Sequence, residues 1–266
     1  MLFGSNPDDD FVAKLIESLS EKGVHLTAQP DAASHALLTM PEAEHAAERA
    51  IALAESLDCH LVFIANELDP QHQEVMAHIR ASDLPWTFVQ PVAMMDFAFA
   101  ALPPQVHMAG VVFGISGQQP VGFVAASDIV RVLAAIVEGS GHEGREYVCS
   151  GAEALTMPEV VAALGEVLGR DLDYIDLGDD ELAQLMVQHG GQDPDRVERL
   201  VMRELRAWRD GRADIVTDTV ARLTGHPPMS VAQWFEKHAD DYAKPGLAQK
   251  AAAKLVRARY RGRILR

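Results

Sequence analysis

Three groups of residues in this chain have types and spacing that could do chemistry. The first lies between Gln71 and Ser82, where His72, Glu74 and His78 share one predicted helix. Histidine titrates near neutral pH and a carboxylate can hold a proton, so His72 and Glu74 are candidates for general acid–base work. His72 and His78 do not share a helix face well, and His-x-Glu lacks the spacing of a metalloprotease helix, so no metal site is expected. The second group is the stretch AMMDFAFAALPP. Met94, Met95, Phe97 and Phe99 could line a flat pocket for a small aromatic ligand, with Asp96 polar within it. Asn66 follows another strand, and His107 lies in the segment that would cover the pocket. Such a Met/Phe cluster is more often plain core. The third group is the opening, MLFGSNPDDDF. A nucleotide-binding fold puts its phosphate loop there, so Gly4, Ser5 and Asn6 are the residues to hold a dinucleotide if one binds.

The elements that must position these groups alternate. MLFG, VHLTA, HALLTM, HLVFIA and PWTFVQP read as strands. Between them, Asp8 to Lys22, Pro41 to Leu57 and Gln71 to Ser82 read as helices. Strands separated by helices imply a parallel, doubly wound α/β sheet. Leu102 to Pro120 is rich in Gly, Pro and Gln and reads as loop. GFVAASDIVRVLAAIVEG runs from an extended piece into a helix capped by Ser127 or Asp128. REYVCSG is a strand. LTMPEVVAALGEVLGR is a helix with Thr156 as cap and Glu159 at capping-box spacing. LDYIDL is a strand and DDELAQLMVQHG a helix. Gln192 to Gly211 and SVAQWFEKHADDY form two more helices.

The chain has 266 residues, 48% hydrophobic and 23% charged, enough for one large α/β domain. No apolar run is long enough to cross a bilayer and no signal-peptide pattern opens the sequence, so the reading is a soluble cytoplasmic protein without an integral membrane segment. Cys59 and Cys149 sit in apolar surroundings and read as buried free thiols. Net charge is −16, but eight of the 23 basic residues and none of the 39 acidic ones lie between Ala243 and Arg266. The remainder therefore carries −24, which argues against nucleic acid. The tail reads as a basic helix on its own acidic body or on a partner, in a homo-oligomer or with another protein, with contact to an anionic membrane surface or nucleic acid as the alternative.

Several stretches together resemble the NmrA-like branch of the atypical short-chain dehydrogenase/reductases, near its quinone and triphenylmethane reductase-like members. HQEVMAHIRASDLPWTFVQP is similar to that family's helix and following strand, which ends in Arg-Pro where this chain has Gln90-Pro91. VAASDIVRVLAAIVEGSGHEGREYVCSG resembles its Asp-Ile-Ala helix and Gly-His-x-Gly strand. LTGHPPMSVAQWFEKH resembles its closing Thr-Gly-x-Pro-Pro segment. The resemblance runs from about residue 34 to 242. It implies a Rossmann-type sheet, with a core of about 1–100 and 121–150, a small C-terminal substrate lobe over about 151–242, and the tail at 243–266.

The departures are specific. The family's first loop is Gly-x-x-Gly-x-x-Gly, whereas the frame from Gly4 gives Pro7 and Asp10. Asn6 suits an N-cap, Pro7 suits the first helical position, and Asp8 to Asp10 complement the helix dipole. Those carboxylates occupy the end a phosphate would use, each at a cost on the order of 1 kcal/mol against a diphosphate. About one αβ unit after VHLTA is also absent, leaving that second strand at the sheet edge. These departures lead to the expectation that ordinary NAD(P) binding is lost and no cofactor is held. The chain would then be a regulator that binds an aromatic or quinone-like molecule, or a cofactor-independent biosynthetic enzyme. An NAD(P)H-dependent quinone or carbonyl reductase and a structural subunit are the alternatives.

Overall fold

The computed structural model describes residues 2–3, 17, 19–21, 34–39, 46–188, 191, 193–242 and 247–265. Its strands are β1 (Leu2–Phe3), β2 (His35–Thr39), β3 (His60–Ile64), β4 (Trp86–Pro91), β5 (Ala93–Met94), β6 (Val111–Gly114), β7 (Phe123–Val124), β8 (Arg145–Cys149), β9 (Asp173–Asp176) and β10 (Ile264–Leu265). The chain forms two compact units. One comprises Met1–Val92, Val124–Ser150 and Thr217–Pro228; the other comprises Ala93–Phe123, Gly151–Val216 and Met229–Arg266.

The first unit is built on a five-stranded parallel sheet in the order β1-β2-β3-β4-β8. Every residue of β3 is buried, as a parallel strand covered on both faces requires. The helices Ala46–Leu57, Pro70–Ala81 and Ala126–Glu138 follow strands in the βα alternation. The Pro70–Ala81 helix starts where the Asp69 side chain accepts the Gln71 N–H at 2.9 Å and proline occupies the first turn. Leu38, Leu61, Phe63, Met76, Ile79 and Phe88 form the core between sheet and helix. Both cysteines are buried and free, and burial pushes the Cys149 thiol up to about 12, which leaves it inert near neutral pH. Leu2 pairs directly with Leu37, so the opening strand lies beside HALLTM. VHLTA, with its expected edge position, and most of the Asp8–Lys22 helix lie outside the described residues; Glu17 and Leu19–Glu21 are helical.

The second unit corrects one expectation. Leu102 to Pro120 is not loop throughout: Leu102–Ala109 is a helix and Val111–Gly114 is β6, and only the stretch 115–120 is irregular as expected. The prolines that suggested a loop sit in the helix's first turn, where no amide is needed, and Gly110 ends it in the left-handed conformation with φ 61°. β6 pairs in parallel with β9, and β9 pairs antiparallel with β10. Thr156 and Glu159 close the expected capping box at the head of the Met157–Leu168 helix. The Gln192–Gly211 segment (Gln192 itself lies outside the described residues) is not one regular helix. A short turn at Pro194–Arg196 leads into a π-helical stretch, Val197–Met202, then into Arg203–Arg209. The described part of the basic tail forms a helix, Leu247–Arg259, that packs on Leu102–Ala109. Arg257 donates to Asp173 and to the Asp171 carbonyl, and Arg263 pairs with Glu181. Two of the tail's arginines are thus matched by acids of its own unit. Among the described residues no helix is long and apolar enough to cross a membrane.

Candidate active site

Ligands of open parallel α/β sheets bind at the carboxyl ends of the strands, because loops diverge there and helix N-termini point there. In the first unit this edge is made by Ala65 and Asn66 after β3, by Gln90 and Pro91 closing β4, and by Ser150 after β8. Their polar side chains are amides and a hydroxyl, with no formal charge. Asn66 folds back as an Asx turn: its Oδ1 accepts the Leu68 N–H at 2.9 Å. Its own N–H donates to His72 Nδ1 at 2.8 Å. Accepting there means that the proton of a neutral His72 ring sits on Nε2. The ring is 7% exposed and stands edge-on to Phe63, with centroids 5.4 Å apart.

Of the expected acid–base pair, then, His72 is buried and fastened to Asn66, whereas Glu74 lies exposed on the same helix. The two do not meet, because positions two apart on a helix diverge. Gln90 is the residue the sequence flagged only as a departure from Arg-Pro. It is 5% exposed, and its amide makes a single 3.9 Å contact with Met76 Sδ among the described residues. A carboxamide held at a strand end with so weak a partner retains most of its hydrogen-bonding capacity. Ser150 is clamped: Thr217 N–H donates to its Oγ at 2.8 Å and Thr217 Oγ1 donates to the Val148 carbonyl at 2.9 Å. No local sequence signal reaches across the 67 residues that separate them.

Asp128, expected as a helix cap, is not one. The cap position is Ala125, without a side-chain bond, and Asp128 lies buried in the first turn. Its carboxylate takes the Arg131 guanidinium, which also donates to the Pro227 carbonyl at 3.1 Å. The closing Thr-Gly-His-Pro-Pro segment is thereby tied to the helix.

The expected aromatic pocket belongs to the second unit. Met94, Met95 and Phe99 are buried, Asp96 and His107 half-buried, and Phe97 is 46% exposed. Phe99 is enclosed by Phe123, Phe235 and Trp234 with centroids 5.0, 5.0 and 5.4 Å away. Its ring is occupied by protein neighbours. Gly4, Ser5 and Asn6 lie outside the described residues, as do Asp8 to Asp10. Among the described residues no group of three His, Cys, Asp or Glu side chains could hold a metal ion.

The opposite edge of the first sheet carries a cavity of about 270 Å³ lined by His35, His60, His142, Asp58 and Glu143 among others. His60 Nε2 bonds Thr87 Oγ1 at 2.8 Å, and Thr87 donates to the His142 carbonyl at 2.6 Å. The His35 and His60 rings lie 5.1 Å apart. Burial first and the His60 charge second bring His35 down from the ordinary 6.5 to about 4, with Glu143 opposing; burial lowers His60 as well. Protonation therefore favours the unfolded chain. The contribution is whole above about pH 6.5 and is lost as pH falls toward 4. Urea midpoints are expected to drop between neutral pH and pH 5, with a shallower drop in His35→Asn; equal slopes for the two proteins would contradict this.

No family model matches the chain. It is 37% identical over 166 residues to the (4-alkanoyl-5-oxo-2,5-dihydrofuran-3-yl)methyl phosphate reductase of Streptomyces griseus, covering 62% of this chain and 57% of that protein. It is 30% identical over 168 residues to the NAD(P)H azoreductase of Xenophilus azovorans, with the same coverage. The chain thus matches little more than half the length of these relatives. The NADPH-dependent quinone oxidoreductase of Escherichia coli, solved with NADPH, superposes with a TM-score of 0.76 at 17% identity over 90% of this chain and 100% of that one. The triphenylmethane reductase of Citrobacter sp., solved with NADP(H), gives 0.72 at 16% over 90% and 100%. The fold is Rossmann-like. The expectation that no cofactor is held finds no support in these relatives.

Proposed function

We propose that this chain is an NAD(P)H-dependent reductase of a small, electron-poor carbonyl or conjugated double bond. A phosphate-bearing dihydrofuranone, the compound class in the Streptomyces relative's name, is the first candidate substrate. The observation that carries the reading is Gln90, a buried carboxamide at the carboxyl end of β4 whose one hydrogen-bond contact among the described residues is 3.9 Å long. Its donor and acceptor match those of a nicotinamide carboxamide, and the neutral strand ends around it suit an uncharged ring. The bound cofactor would supply hydride. Gln90 would orient the nicotinamide, and Asn66, fixed by His72, would shape the turn beside it.

The test is NADPH consumption with such a phosphorylated butenolide, in wild type and Gln90→Ala. Loss of one hydrogen bond, about 1.4 kcal/mol, raises the KM for NADPH about tenfold. Thermal stability falls modestly, because truncating a buried side chain forfeits its packing even where the amide contact is weak. Absence of cofactor-dependent turnover on electron-poor carbonyls and double bonds would end the reading; an unchanged KM would remove Gln90 from it.

A further inference from the structure

The second unit carries a groove of about 410 Å³ along the π-helical stretch, a volume in the range of small-molecule sites. Its charged lining is Glu198, Arg199, Arg203, Arg206, Asp210 and Arg212. Four arginines stand against two carboxylates, in a chain whose net charge is −16. On such a chain the ordinary fate of an arginine is an acidic neighbour, and Arg206 has that fate. Its Nε donates to Asp179 Oδ2 at 2.7 Å and its Nη atoms clasp Glu198. That clasp raises the Arg206 pKa and lowers that of Glu198, so both groups stay ionised and the guanidinium is fixed as one wall. Asp210 approaches Arg209 at 3.8 Å. The lining carboxylates are thus engaged, whereas Arg199 and Arg212 have no ion-pair partner among the described residues and are exposed toward solvent.

The backbone explains how the arginines come together. Val197 and Met202 anchor the inner face of the stretch in the core. The i→i+5 pattern inserts an extra residue into that turn, a rare geometry concentrated at functional sites. Arg199 within the stretch and Arg203 just after it both line the groove. Past the helix, Gly211 turns the chain with φ 75° and Arg212 N–H returns to the Ala207 carbonyl at 3.0 Å, which sets Arg212 beside the groove.

We propose that this groove is an anion site that takes the phosphate group of a small phosphate monoester. The ligand's identity rests on the reductase reading, whose candidate substrate carries that group; the site itself rests on the arginines. Guanidinium forks match phosphate oxygens two at a time, and a dianion answers a wall with surplus positive charge better than a carboxylate does. The acidic remainder of the chain opposes a polyanion but leaves a small one free to enter.

The test is calorimetric titration of the full chain with phenyl phosphate, inorganic phosphate and benzoate at low ionic strength, without nicotinamide cofactor. Saturable binding of phenyl phosphate is expected, at least tenfold tighter than benzoate and at least as tight as inorganic phosphate. The Arg199→Ala/Arg212→Ala protein, altered only at exposed positions, should bind at least tenfold more weakly, while Arg80→Ala, in the other unit, should bind as wild type does. No saturable phosphate binding, tighter binding of the inorganic anion, or equal binding by the double variant would overturn the proposal. Because no cofactor is present, such a failure leaves the reductase reading standing. Phosphate binding without NADPH turnover would fail that reading alone.

Discussion

Asp128→Asn lowers the stability of the chain by about 3 kcal/mol, the low end of the range for breaking a buried ion pair, because its partner is only partly buried. The Asp128 side chain is 2% exposed and Arg131 is 21% exposed. Arg131 also holds the Pro227 carbonyl, so the amide variant weakens the hold of the Ala126–Glu138 helix on the segment that leads to Pro228. Urea unfolding measures the loss. The paired change Asp128→Asn/Arg131→Met is less destabilised than Asp128→Asn alone, since it leaves no partly buried cation without its counter-charge. A loss below about 1 kcal/mol in the single variant would mean that water satisfies both groups and the pair holds nothing.

Phe99→Ala costs about 3–5 kcal/mol, as large-to-small changes of buried aromatics do when neighbours cannot collapse into the space. The side chain is wholly buried, and three aromatic rings lie within 5.4 Å centroid to centroid. Edge-to-face and stacked contacts among them would be lost along with the apolar burial. The decisive companion is Phe97→Ala. Phe97 is 46% exposed, and its change should move the melting temperature little. If the two variants melted alike, the ring of Phe99 would not be the structural centre of the aromatic cluster. If neither change shifted stability but both weakened substrate binding, the pair would belong to a pocket after all.

Much of the first sheet was legible because parallel strands are short apolar runs separated by amphipathic helices, and HLVFIA and PWTFVQP say so without help. The capping box at Thr156 was legible because two residues at fixed spacing close it locally. The first part of Leu102 to Pro120 was misread because proline and glycine mark both loops and helix ends, and the strand Val111–Gly114 shows itself only by pairing with Asp173–Asp176, about 60 residues on. Asp128 was misread for a similar reason. An acid in a helix's first turn looks like a cap until the distant carbonyl of Pro227 shows what its arginine holds. Of the candidate site, His72 and Asn66 were visible as polar residues near a strand end. That they bond to each other, and that Gln90 has so weak a contact, depends on tertiary packing. The π-helical turn and its arginines left only a run of charge in the sequence.

The central claim is that the chain uses a nicotinamide cofactor despite the aspartates that follow its opening strand. Calorimetric titration of NADPH against the purified protein at moderate salt tests it most directly. The reductase account predicts saturable binding at micromolar affinity, weakened about tenfold in Gln90→Ala. No binding up to millimolar NADPH would contradict it, and would return Asp8, Asp9 and Asp10 to the role their position first suggested, the head of a helix whose phosphate site has been given up.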